Sequence, residues 1–146
     1  MTLLKPLFGV FALAVITAAS AGAQTLDVHK TPWCGCCEAW AIRMEEAGFD
    51  VEIHETEDLN AVKAEHGVPG DLLSCHTATI DGYVIEGHVP AGDIRRLLAE
   101  RPDAAGLAVP GMPHGSPGME TGRVDRYQTL LFGDGPRSVW AEHPAG

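Results

Sequence analysis

Three thiols within four residues, in Trp33-Cys34-Gly35-Cys36-Cys37, stand where an alternating run ends and a helical run begins. This placement fixes one strand, one helix and the turn between them around reactive sulfur. Upstream, Thr25 to Lys30 alternates apolar and polar residues through Leu26 and Val28, the period of a half-buried strand. Downstream, a helix is predicted from about Gly35 to Ala47, with Trp40, Ile42 and Met44 among its apolar residues and Gly48 as its stop. Phe49 to His54 alternates again. Asp58 or Glu57 caps a second predicted helix that runs through Glu65 and ends at Gly67 and Pro69. Thr77 to Ile80 and Tyr83 to Glu86 flank Asp81-Gly82, the strongest short hairpin signal in the chain. Pro90 opens a third helix, Ala91 to Glu100. The order strand, helix, strand, helix, hairpin, helix predicts a thioredoxin-like α/β fold, a central mixed sheet with helices on its faces. Val109 to Met119 holds too many prolines and glycines for regular structure and reads as a C-terminal wrap or loop. Arg126 to Phe132 reads as one more strand at a sheet edge.

The compartment decides what these thiols can do. Residues 1–23 carry one cation, Lys5, an apolar run from Leu7 to Ala19, and the small residues Ala21-Gly22-Ala23. That pattern is a secretory signal with cleavage near Ala23, since the run falls short of the roughly 20 apolar residues a spanning helix needs. The expected product is a single domain, 24–146, soluble in an oxidising compartment such as a bacterial periplasm. Loss of Lys5 with the leader leaves nine cations against 20 acids, a net charge of −11 with neutral histidines. Such a surface repels nucleic acid and anionic lipid and favours cations. Plain solubility explains the same charge.

Cys34 and Cys37 form a C-x-x-C pair at a helix N-terminus, where backbone N–H groups and the helix dipole stabilise thiolate. Lowered thiol pKa values suit both redox exchange and metal binding. Trp-Cys-Gly-x-Cys resembles the thioredoxin active site, except that Cys36 stands where proline is usual, and a disulfide between Cys34 and Cys37 is then open to attack by Cys36. Cys36 and Cys37 diverge by about 100° on a helix, so they converge on one small ion only with help from the turn. Bridging thiolates remove that difficulty. Cu(I) is soft and binds thiolate strongly; one Cu(I) under four thiolates carries about −3, and several coppers sharing the sulfurs bring the sum toward zero. With Cys75 as the fourth thiol, a polynuclear copper site is favoured over a single ion. Zinc is the weaker candidate, because structural zinc takes two separated C-x₂-C knuckles and this chain has one. A pair of stiffening disulfides is the structural alternative, although the crowding at 34, 36 and 37 closes no useful loops. A thiol-disulfide oxidoreductase, with Cys34 as nucleophile and Cys37 as resolving thiol, is the functional one. Neither a hydrolytic nucleophile motif nor a phosphate loop is present in the sequence.

Lys30-Thr31-Pro32-Trp33-Cys34-Gly35-Cys36-Cys37, Ser74-Cys75-His76-Thr77, Asp81-Gly82-Tyr83-Val84-Ile85-Glu86-Gly87-His88-Val89-Pro90 and Gly106-Leu107-Ala108-Val109-Pro110-Gly111-Met112-Pro113 together resemble the CopG-type copper-resistance family. The resemblance covers nearly all of 24–146. It implies export, a thioredoxin-like fold, and a C-x-C-C motif with one distant cysteine around a thiolate-bridged copper cluster. Cys34, Cys36, Cys37 and Cys75 would be the ligands, and other periplasmic copper-handling proteins the partners. Ser74-Cys75-His76-Thr77 stands where ordinary thioredoxins carry a cis-proline, which would set Cys75 opposite the other thiols. Among further donors, His76 follows Cys75 directly, but neighbours on a strand point to opposite faces. His114 lies between Met112 and Met119, either a copper lid or a loop that Met112 packs onto the core. His29, His54, His66, His88 and His143 show no paired spacing and read as surface or satisfied core histidines. Trp33 reads equally as a shield for the cluster or as core.

Overall fold

The computed structural model describes residues 24–146. The expected signal segment, 1–23, lies outside the described residues. Ten elements follow in chain order: β1 Thr25–Lys30, α1 Gly35–Glu46, β2 Asp50–Glu55, α2 Leu59–Glu65, β3 Thr77–Ile80, β4 Tyr83–Glu86, α3 Ala91–Glu100, β5 Gly106–Ala108, β6 Tyr127–Phe132 and β7 Ser138–His143. The strands form one mixed sheet in the order β2-β1-β3-β4-β5-β6-β7. β1 runs parallel to β2 and antiparallel to β3, while β4 runs parallel to β5.

The elements form where burial rewards their periods. In β1, Leu26 and Val28 point into the core while Asp27 and His29 face the other side of the sheet. In α1 the buried residues are Cys37, Trp40, Ala41 and Met44, spaced as one helical stripe. This stripe explains why Cys37 is fully buried while Cys36 remains partly accessible. Trp40, Met44, Ile94 and Leu97 bring α1 and α3 onto the same core as Leu26, Val28, Ile80 and Ile85. A smaller cluster, Leu72, Val84, Ala108 and Phe132, packs elsewhere against the sheet. Asp58 caps α2, its side chain accepting from the Ala61 N–H at 3.1 Å.

Two readings of the tail change. β6 is not an edge, because β7 pairs outside it, and the three-residue β5 joins both to β4. Trp140 of β7 explains the added strand, since its indole packs into the core and donates to the Asp93 carbonyl at 3.2 Å. Val109 to Met119 contains no helix or strand, as its prolines and glycines require, and it is an ordered wrap. At Gly118, with φ 84°, a Cβ would meet the Cys36 carbonyl oxygen and the Trp40 nitrogen, each at 2.7 Å. Only glycine lets the wrap lie this close to α1. No helix among the described residues is long and apolar enough to cross a membrane.

Candidate metal centre

The β1–α1 turn and the segment before β3 bring all four cysteines together. Their sulfurs all lie within 4.8 Å of one another. Cys34 occupies the N-cap of α1 and is disulfide-bonded to Cys37, with Cα atoms 5.4 Å apart. Cys36 and Cys75 are free thiols. The Cys36 sulfur bridges the group, 3.7 Å from Cys34 Sγ and 3.8 Å from Cys75 Sγ. Cys37 Sγ lies 3.5 Å from the Cys75 carbonyl oxygen.

Cys75 is held from behind by a buried charged network. Glu86, wholly buried on β4, accepts from Lys63 Nζ at 2.6 Å and from the Ser74 backbone N–H at 2.7 Å through Oε1. Its other oxygen accepts from Thr77 Oγ1 at 2.6 Å. The carboxylate thus ties α2, β3 and the residue preceding Cys75 to one point. Burial pushes the Cys75 thiol up to about 12, and the neighbouring Cys36 pushes in the same direction.

Two imidazoles complete the surroundings. His88 Nε2 lies 2.8 Å from Cys75 Sγ, and His88 Nδ1 lies 2.7 Å from the Pro117 carbonyl in the wrap. A carbonyl only accepts, so Nδ1 carries the proton and the Nε2 lone pair of the neutral ring faces the sulfur. Burial lowers the His88 pKa and keeps that ring neutral. His76 Nδ1 is 3.5 Å from the same sulfur, and its ring packs against Trp40 with centroids 4.5 Å apart. His76 Nε2 is a buried polar atom with no hydrogen-bond partner among the described residues. Burial, then His88 and Lys63, hold the His76 pKa well below its usual value. Soft sulfurs beside neutral, lone-pair-bearing nitrogens form a donor set for a soft or borderline metal ion.

Comparison with known proteins places this geometry. The solved structure "Copper resistance protein copG- Form 2" matches with a TM-score of 0.81 at 50% identity, covering 84% of this chain and 100% of the other. The chain belongs to the CopG copper-resistance family. A second solved structure, "Copper resistance protein copG- Form 1", matches at 50% identity with a TM-score of 0.80, covering 84% of this chain and 99% of the other. Residues 72–119 match the family described as "Protein of unknown function, DUF411", a span that holds Cys75, His76, His88 and the wrap. Comparison with curated proteins finds no match.

Within this CopG member the structure brings together Cys34, Cys36, Cys37 and Cys75, the four thiols the sequence singled out. It differs over the histidines. His76 precedes β3 rather than lying in it, so strand alternation does not turn its ring away from Cys75. His88 is no ordinary core histidine. The signal for it was present: the Asp81-Gly82 turn pairs Ile80 with Tyr83 and Thr77 with Glu86, and the same register continued two residues sets Cys75 opposite His88. Trp33 is 71% exposed and belongs to no core. Met112, 52% exposed, does not pack the loop onto the core, and His114 Nδ1 bonds to Thr121 Oγ1 at 2.6 Å. Met119 is half-buried beside Gly118.

Proposed function

We propose that this chain is an exported copper-binding protein of copper resistance, holding Cu(I) through Cys34, Cys36, Cys37 and Cys75 in a thiolate-bridged, polynuclear site. The observation that carries the reading is the mutual approach of four sulfurs within 4.8 Å. Bridging suits this spacing, because Cys36 already lies between Cys34 and Cys75. The Cys34–Cys37 disulfide must first be reduced by an external dithiol, which gives up two electrons and two protons and is itself left as a disulfide, freeing both thiols as ligands. Residues 24–146 then form one thioredoxin-like domain, and 1–23 direct it to the periplasm before removal. Copper ions are the cargo, and other periplasmic copper-handling proteins are the exchange partners.

The disulfide itself favours a second reading, thiol-disulfide exchange by Cys34 and Cys37. Cys36→Ala separates the two. A bridged cluster loses most of its copper in this variant, whereas dithiol exchange survives or improves once the competing thiol is gone. Retained copper with abolished exchange would reverse the order of the two readings.

A further inference from the structure

A second group of donors lies on the opposite face of the sheet from α1. Parallel pairing of β1 with β2 sets Asp27 beside Glu52 and His29 beside His54. All four alternate with core residues of β1 or their partners on β2, so they share one face. The ligating atoms of Asp27, Glu52 and His54 all lie within 4.8 Å of one another, with His54 Nε2 3.3 Å from Asp27 Oδ1. The His29 ring stacks on His54 with centroids 4.9 Å apart, and His66 brings a third imidazole to 6.0 Å from His29.

We propose that Asp27, Glu52, His54 and His29 form a second metal site, open to solvent and selective for borderline divalent ions, Cu(II) before Zn(II). It goes beyond the thiolate reading and does not depend on it. The donor chemistry is the opposite of that at the cysteines: imidazole nitrogen and carboxylate oxygen suit Cu(II) and Zn(II), not the softer Cu(I). Two carboxylates cancel the charge of a divalent ion, so the bound site is neutral where the thiolate site needs several ions to approach neutrality. His54 and both carboxylates converge as they stand, and the partly exposed His29 ring, stacked on His54, stands beside them as a further nitrogen donor.

The test uses Zn(II) as a redox-silent probe of the borderline class. The mature chain is first saturated anaerobically with Cu(I), then titrated with Zn(II) while the histidine imidazole ¹⁵N resonances are followed. The site requires His29 and His54 to shift together and to saturate at one zinc per chain at micromolar zinc. His54→Ala and the double variant Asp27→Asn/Glu52→Gln should each weaken that binding by roughly tenfold or more, since even supporting residues of metal sites carry that much. His54 and Glu52 are exposed and Asp27 is half-buried, and circular dichroism checks that each variant remains folded. No concerted shift up to millimolar zinc, or a shift unchanged in both variants, overturns the site and leaves a polar face that blunts an edge strand. Copper per chain in the first step reports on the thiols alone, so a failure there is read separately from the imidazole shifts.

Discussion

Glu86 is the residue on which the position of Cys75 depends. Its carboxylate neutralises Lys63, and both are shut away from water, so the pair contributes mainly by not being broken. Glu86→Gln keeps the shape, leaves the ammonium uncompensated, and should cost about 3–5 kcal/mol in chemical denaturation. It should also raise the reactivity of the Cys75 thiol toward alkylating reagents, because the Ser74 N–H loses its charged acceptor. His76 contributes to the pH dependence of the metal-free protein. Its folded pKa lies well below 6.5 while the unfolded chain titrates near 6.5, so its stabilisation is complete above that pH and is lost as pH falls. Each pH unit below 6.5 should therefore lower stability by up to about 1.4 kcal/mol for this group, with His88 adding in the same direction. His76→Gln should flatten the slope measured by urea denaturation between neutral and acid pH. An unchanged slope would place the titration elsewhere.

At the scale of elements, the wrap over the first turn of α1 joins the C-terminal half of the chain to the cysteines. Gly118→Ala asks for a Cβ where the Cys36 carbonyl and the Trp40 nitrogen stand, in a backbone region that costs a non-glycine residue about 1–2 kcal/mol before any clash. The variant should melt earlier and expose Cys36 to thiol reagents, while α1 itself keeps its helical signal. These elements also show what was legible in the sequence. The spans of β1, α1, α3 and the β3–β4 hairpin follow from period, cap and turn residues, because those signals act within a dozen residues. The hairpin register even places His88 opposite Cys75, although His88 alone has no distinguishing spacing. β5 and β7 were hidden for a different reason: β5 is three residues long, and β7 is held by contacts of Trp140 with α3, a distant element. Lys63 and Glu86 likewise meet only through the packing of α2 on the sheet, which no local pattern encodes.

For the whole molecule, the sheet separates two chemistries. One face packs α1 and α3 and ends in four sulfurs; the other carries histidines and carboxylates on β1 and β2. With 20 acidic residues against ten basic ones, the chain as a whole attracts cations toward either. Copper handling by a bridged thiolate site is the central reading, and it makes a stoichiometric demand that a single-ion site or a dithiol switch does not. The direct measurement is anaerobic loading of the reduced chain, residues 24–146, with Cu(I), with copper per chain counted by elemental analysis while free thiols are titrated. More than one copper per chain, with all four thiols protected, is the expected result. No tightly held copper, together with an exchangeable Cys34–Cys37 disulfide, would contradict it.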